Sequence, residues 1–340
     1  MTLIHNLPTA PTELSTKLST PVDDSPDPGD FLLRGLPVLV LLSLLLVLLP
    51  GTGAAALRVR DDAGRTVTLP RPASRIVSLY VAHTENLVAL GAKGQLAGVS
   101  AADDPAWAGP ARRLPLKPDV EALLALRPDL VVLRPLQLQM QPQLLGQLER
   151  FHIPVAVLEP PAWGNLASYL NRLGALTGRT AEARRVAERT VALTDRARRR
   201  HQSEPRPGVF LVTTARTLTT CAPGSWADRL LEAAGGENLA SDARPLSPGS
   251  AVASFGDERL LGLGNRLRLV LVQQGAMNAL PASELARDPR LSALEAVRAG
   301  RVRDVPEAFV SRPSVLRLPK ALALLESLVD GAREGGKAKP

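Results

Sequence analysis

One stretch of this 340-residue chain constrains its fold more than any other. From Ala181 to Arg200 the sequence contains neither glycine nor proline, and Thr180 stands before it as a residue that can cap a helix. The pattern predicts a helix over residues 180–201, which would extend about 33 Å at 1.5 Å per residue. Because a half of comparable size lies on each side, we expect this helix to join two lobes as a rigid rod.

Both halves alternate β-type apolar runs with helical patterns, which is typical of α/β folds with mainly parallel sheets. In the first half the predicted strands are 75–80, 96–99, 130–133 and 153–158, and the predicted helices are 84–90, 120–126 and 143–150. In the second half the predicted strands are 208–213 and 267–272, and the predicted helices are 225–234, 257–263 and 292–299. The predicted organisation is a leader at 1–56, a first lobe at 57–179, a linker helix at 180–203 and a second lobe at 204–335.

The leader is expected to take no part in the fold. Residues 1–30 are rich in Pro, Ser, Thr and Asp without apolar periodicity, which indicates disorder. An apolar run from Leu36 to Leu49 follows, and small residues continue to Ala56. The run is shorter than the roughly 20 residues of a membrane span and fits a secretory signal cleaved near Ala56, with an uncleaved anchor as the alternative. Either reading predicts a periplasmic or otherwise extracytoplasmic protein.

Composition excludes several function classes. Residues 1–56 hold two of the 41 basic and five of the 33 acidic residues, so the remainder carries a net charge of +11 and favours anionic ligands or surfaces. The sequence contains neither a Cys/His finger nor an alternation of aromatic with basic residues, so it gives no indication of nucleic-acid binding. The single cysteine, Cys221, and the three histidines after residue 56 predict neither a disulfide framework nor a metal site. The sequence also lacks the nucleophile elbow, zinc-protease and phosphate-loop motifs, so we expect no enzyme.

A local pattern occurs in both halves. Residues 119–132 place an acid at a helix start, one apolar turn, a break and a strand, and residues 257–270 repeat this order more loosely. Further motifs are Arg75 to Leu79 followed by Thr84-Glu85, Leu173-Gly174 with Thr177-Gly178, Leu230-Leu231 with Ala234 to Asn238, and Arg312-Pro313-Ser314. In this order they resemble the periplasmic substrate-binding proteins of ABC importers for iron-siderophores, haem and cobalamin, over nearly all of residues 72–330. The chain departs from that pattern at Val315-Leu316 before Arg317, where a Pro-Arg pair is usual, and at Arg268, which replaces an Asp.

The resemblance implies a class III periplasmic binding protein, with two Rossmann-like lobes joined by a single long α-helix. It implies a monomer that binds one ferric siderophore, haem or cobalamin without a covalent bond in the cleft between the lobes. It also implies that Glu121 and Glu258, one in each lobe, dock onto arginines of the transmembrane permease, which works with a cytoplasmic ATPase. A carboxylate at a helix N-terminus is favoured by the helix dipole and accepts bidentate arginine contacts. The alternative is a two-lobed sensor or interaction protein that uses the same scaffold without transport.

Ligand contacts are expected from loops at the carboxyl ends of the strands, where open α/β sheets bind their ligands. A planar or chelated ligand needs aromatic faces for stacking and cations for its carboxylates. The residues of these types in the expected loops are Tyr80, Trp107, Arg134, Arg216, Trp226, Phe309 and Arg312. Tyr80 could also ligate haem iron, whereas Trp163 and Tyr169 are interpreted as packing residues.

Overall fold

The computed structural model describes residues 56–334, so residues 1–55 of the predicted leader lie outside the described part of the chain. Within residues 56–334, no helix is both long enough and apolar enough to cross a membrane. The described chain begins with an antiparallel hairpin of β1 (Leu57–Arg60) and β2 (Thr66–Leu69), which the sequence analysis did not predict.

The first lobe is built on a five-stranded parallel sheet with the spatial order β5-β4-β3-β6-β7. Its strands are β3 (Ile76–Ser78), β4 (Leu96–Ser100), β5 (Arg112–Leu114), β6 (Leu130–Leu133) and β7 (Val155–Val157). Its helices are α1 (Val81–Ala89), α2 (Pro105–Ala108), α3 (Val120–Leu124), α4 (Pro135–Met140), α5 (Leu144–Arg150) and α6 (Leu166–Thr177). Every residue of β3, β6 and β7 is buried, because helices cover both faces of a parallel sheet.

The predicted long helix is present as α7 (Thr180–Arg200), whose 21 residues extend about 31 Å. The prediction that Thr180 caps it is wrong, since Arg179 occupies the cap position and Thr180 is the first helical residue. Two glycines allow α6 and α7 to pack closely, one at the end of α6 and one within it. Gly178 adopts the left-handed φ of 71°, and a Cβ on Gly174 would lie 2.6 Å from the Cβ of Ala183. The close approach of the two helices therefore depends on small residues.

The second lobe contains a four-stranded parallel sheet, in the order β10-β8-β13-β14, and a small antiparallel sheet, in the order β11-β12-β9. Its strands are β8 (Gly208–Val212), β9 (Thr220–Cys221), β10 (Glu237–Asn238), β11 (Arg244–Pro245), β12 (Val252–Ser254), β13 (Leu267–Gln274) and β14 (Val302–Pro306). Its helices are α8 (Trp226–Ala233), α9 (Asp257–Gly262), α10 (Ala282–Leu285), α11 (Glu295–Arg298), α12 (Glu307–Val310) and α13 (Leu318–Glu334).

One predicted helix of the second lobe is wrong in its first half. Residues 292–299 contain only the four-residue α11, which a 3₁₀ turn at Pro289–Leu291 precedes. The Ser292 hydroxyl donates a hydrogen bond to the Pro289 carbonyl at 2.7 Å. A serine that bonds to nearby backbone competes with helix formation, which explains why the helix starts later.

A single buried apolar cluster passes through both lobes and the linker helix. It includes Ile76 and Leu87 of the first lobe, Ala183 of α7, and Leu211 and Leu325 of the second lobe. Separate clusters fill the opposite face of each sheet. The lobes are thus joined by a continuous core as well as by α7. This is the predicted fold class, two Rossmann-like lobes with a single long connecting helix.

Candidate ligand-binding cleft

Tyr80 and Arg134 follow the adjacent parallel strands β3 and β6. Both are half-buried and have extended backbone conformation, Tyr80 directly before α1 and Arg134 directly before α4. The guanidinium carbon of Arg134 lies 4.4 Å from the centre of the Tyr80 ring, within the range of a cation–π interaction. The end of the first sheet therefore presents an aromatic ring and a cation at one point, at the edge where open α/β sheets bind ligands.

A buried histidine holds Tyr80 from the protein side. The ring of His83 lies edge-on to that of Tyr80, with 5.0 Å between the ring centres. Its Nε2 lies 3.0 Å from the Leu158 carbonyl and its Nδ1 2.7 Å from the Tyr169 hydroxyl. A carbonyl oxygen only accepts, so Nε2 carries the proton and Nδ1 accepts from Tyr169. Burial lowers the pKa of His83 to about 3, against the opposing effect of the Leu158 hydrogen bond. The ring is therefore neutral at physiological pH.

The charges around Tyr80 favour an anionic ligand. Burial raises the pKa of the Tyr80 phenol, although the positive charges of Arg134 and Arg312 oppose this shift, so the phenol stays protonated at neutral pH. Nε of Arg134 is buried and has no hydrogen-bond partner among the described residues. A buried donor without a partner costs free energy. Glu159 also lies near Arg134, and burial raises the pKa of its carboxyl group.

The second lobe contributes Arg312 through a buried carboxylate. Nε and Nη2 of Arg312 donate to Oε1 of Glu307 at 3.1 and 2.9 Å. The other oxygen of Glu307 accepts from the Met277 backbone N–H at 2.8 Å. Glu307 is only 5% exposed and follows β14 directly. One carboxylate therefore orients both Arg312 and the loop that carries Met277, and the half-buried arginine is held in one position.

Trp226 lies in the core, which corrects its prediction as a ligand contact. Its side chain is 3% exposed, its Nε1 donates to the Phe309 carbonyl at 3.1 Å, and its ring packs 5.6 Å from that of Trp163. A ring this buried has no face left for stacking on a ligand. The half-buried Phe309 packs against the same core cluster, as does Trp163, which was interpreted as a packing residue.

Two further predicted residues stand apart from the Tyr80 group. Trp107 is half-buried on the short helix α2, and its Nε1 has no acceptor among the described residues. Arg216 is exposed on a tight loop between β8 and β9, where Leu218 adopts a left-handed φ of 46°. The structure thus stacks Arg134 on Tyr80, and the positive charge of Arg312 acts on the same phenol.

The sequence analysis missed the buried polar groups that position the cleft residues. Asn278 accepts a hydrogen bond from the Ala215 backbone N–H at 3.1 Å and donates to the Gln273 and Leu280 carbonyls. These bonds fix the position of the loop that carries Arg216. No sequence signal distinguishes this asparagine from a surface one. Glu307 carries a weak signal, an acid directly after a strand.

Glu121 and Glu258 occupy matching places in the two lobes. Each is exposed in the first turn of a short helix, α3 or α9. Both helices precede a central strand, β6 or β13, that pairs with the first strand of its parallel sheet, β3 or β8. The repeated sequence pattern is therefore a repeated structural position, which leaves both carboxylates accessible to a partner.

One cluster outside the cleft has the composition of a metal site. His201, Glu204 and Asp330 bring potential ligand atoms together near the end of α7. Arg333 forms ion pairs with both carboxylates, at 2.9 Å to Glu204, and His201 bonds to Glu204 at 2.7 Å. These contacts satisfy the acidic groups with protein cations, so we interpret the cluster as an ion-pair network.

Comparisons with known proteins define the class to which this two-lobed molecule belongs. Residues 76–308, more than half of the chain, match the sequence model of the periplasmic binding protein family. The chain therefore belongs to the periplasmic binding protein family, whose members are solute-binding proteins and not enzymes. A sequence search of curated proteins found no match.

Solved structures from three organisms illustrate the similarity of fold. The haem-binding protein RhuT of Roseiflexus sp. RS-1 superposes with a TM-score of 0.62 at 22% identity, over 76% of this chain and 99% of that one. A periplasmic haem-binding protein of Pseudomonas aeruginosa gives 0.60 at 25% identity, over 76% and 92%. The vitamin B12 binding protein BtuF of Vibrio cholerae gives 0.57 at 20% identity, over 77% and 99%. The predicted family resemblance and fold class are confirmed.

Proposed function

We propose that this protein is the extracytoplasmic binding protein of an ABC importer, and that it captures a ferric siderophore, haem or cobalamin between its lobes. The observation that carries the proposal is the Tyr80–Arg134 stack, on whose phenol the positive charge of Arg312 from the other lobe also acts. Two guanidinium groups beside an aromatic face favour a chelate that bears carboxylates. Haem and B12 binding by proteins of the same fold supports this ligand class.

Binding by the full-length protein tests the proposal directly. Tryptophan fluorescence and calorimetric titration against haemin, cyanocobalamin and a panel of ferric siderophores should give sub-micromolar 1:1 binding to one of them. Replacing Arg134 by Gln should weaken binding of an anionic chelate about tenfold to a hundredfold, since a hydrogen bond to a charged group contributes roughly 1.5–3 kcal/mol. Arg185→Gln is the matched control, because Arg185 is 65% exposed on α7 and pairs only with Glu182 of its own helix among the described residues.

The outcomes separate two functions. An unchanged affinity in Arg134→Gln would contradict the proposed anion contact. Absence of binding across the whole panel would favour the alternative, a two-lobed sensor or interaction protein on the same scaffold.

Delivery to a permease is the second part of the proposal. The exposed Glu121 and Glu258 can each accept a bidentate arginine contact from the transmembrane subunits. A Glu121→Ala/Glu258→Ala protein should bind its chelate as the wild type does but should not support uptake by cells. The control is Glu188→Ala, an exposed glutamate of α7. Normal uptake with the double variant would contradict the docking role of the two glutamates.

The proposal also includes export of the protein, directed by the apolar segment at residues 36–49.

A further inference from the structure

Helix α1 contacts the second lobe as well as the cleft. It begins directly after Tyr80, and two of its residues, Glu85 and Asn86, are completely buried. Both side chains reach residues 313–317, the loop that joins α12 to α13 in the second lobe. This nine-residue helix therefore follows the cleft residue Tyr80 directly, and about one turn later its side chains form hydrogen bonds with the second lobe.

Asn86 bonds to both sides of one turn of this loop. Its Nδ2 donates to the Pro313 carbonyl at 2.9 Å, and its Oδ1 accepts from the Val315 backbone N–H at 3.0 Å. The same Nδ2 lies 3.4 Å from the Tyr169 hydroxyl, which donates to His83. Both functional groups of a buried amide are thus used, and the loss of either contact would leave a buried polar group unpaired.

Glu85 adds a charged contact. Nε of Arg317 donates to Oε1 of Glu85 at 2.6 Å, and Nη2 of Arg317 lies 3.7 Å from Asp104. The Arg317 side chain is 20% exposed, while that of Glu85 is fully buried. Glu85 therefore depends on an arginine of the other lobe for its compensation, and loss of that arginine would leave a buried charge unpaired.

These bonds fix the backbone that directly follows a cleft residue. Arg312 precedes Pro313, and it is held from its own lobe by Glu307. With Pro313 and Val315 attached to α1, the position of Arg312 relative to Tyr80 is set by one short helix. We propose that Asn86 and Glu85 are positioning residues that hold the two walls of the cleft in register before a ligand arrives, Asn86 through the 313–315 backbone and Glu85 through Arg317. The binding part of this inference rests on the proposed function, and the conformational part does not.

A distance measurement without ligand tests the conformational part. Spin labels at Lys117→Cys in the first lobe and Ser247→Cys in the second occupy exposed sites, and the native Cys221 is buried. Pulsed dipolar spectroscopy on the full-length protein should give one narrow distance distribution. Asn86→Ala and Arg317→Gln should broaden it, whereas Arg317→Lys should keep it narrow because it retains the positive charge beside Glu85. Arg185→Ala, on an exposed face of α7, is the control that should change nothing.

Titration of haemin, cyanocobalamin and ferric siderophores into the same proteins tests the binding part. If breaking the contacts leaves about a tenth of the molecules with aligned walls, the apparent Kd rises about tenfold. Distributions that stay narrow in both Asn86→Ala and Arg317→Gln would overturn the conformational part, and broad distributions with unchanged affinity would overturn the binding part. Broadening in a protein that binds none of the probes would uphold the conformational part while the proposed ligand class fails.

Discussion

Acidification should destabilise this protein through His83, and the magnitude follows from its surroundings. The ring is completely buried, Nε2 donates to the Leu158 carbonyl and Nδ1 accepts from Tyr169. The folded state therefore stabilises the neutral form of the ring. The pKa of His83 is about 3 in the fold, below the usual value of about 6.5 in an unfolded chain. Between these values the unfolded state binds the additional proton. Stability from this group is therefore complete above about pH 6.5 and decreases as the pH falls towards 3.

The value of pH 5 lies about 1.5 units below the pKa of the unfolded histidine, and each unit corresponds to about 1.4 kcal/mol. The free energy of unfolding should therefore be about 2 kcal/mol lower at pH 5 than at pH 7. Urea unfolding followed by far-ultraviolet circular dichroism at pH 7 and pH 5 measures it. His83→Gln keeps an amide donor near the Leu158 carbonyl and does not titrate. The pH-dependent loss of unfolding free energy should be about 2 kcal/mol smaller in this variant than in the wild type. Equal losses in the two proteins would refute the assignment of a neutral, buried His83.

Three further results are expected. Burial raises the pKa of Asp103 to about 6, against the opposing effect of the Thr84 hydrogen bond. Between about pH 4 and 6 the folded state therefore binds the additional proton, and the free energy of unfolding falls as the pH rises through this range. Urea unfolding at pH 7.5 should show Asp103→Asn to be more stable than the wild type by up to about 3 kcal/mol. Cys221 is 1% exposed and burial raises the pKa of its thiol to about 12, so Ellman's reagent should label it only in denaturant. Glu307→Gln weakens the contact to Arg312 and should cost about 2 kcal/mol, as a lower thermal midpoint would show.

Much of the fold could be predicted because its elements have local signals. The buried strand β6 is a continuous apolar run, and the predicted bounds 130–133 are those observed. The linker helix was predicted to within one residue at its end. The absence of glycine and proline over twenty positions is a strong helix signal. Weak signals failed in short elements, as at Ser292, where a side-chain hydrogen bond to the backbone delays the helix.

The candidate site was only partly predictable. The rule that ligands bind at the carboxyl ends of parallel strands selected Tyr80, Arg134 and Arg312; the structure stacks the first two, and the charge of Arg312 acts on the Tyr80 phenol. The same rule selected Trp226, which is a core residue. A local signal existed, because Trp226 and Leu230 are four residues apart and lie on the same buried face of α8.

The sequence by itself determined the alternation of strands and helices, the two halves with their repeated pattern, and the rigid connection between them, because periodicity and helix-breaking residues act over a few positions. Only the tertiary structure decided which side chains cross from one lobe to the other. Asn86 and Val315 are 229 positions apart in the chain, and no local pattern links them. Their contact exists because a continuous apolar core places the two lobes side by side and leaves a buried amide to be satisfied at the boundary.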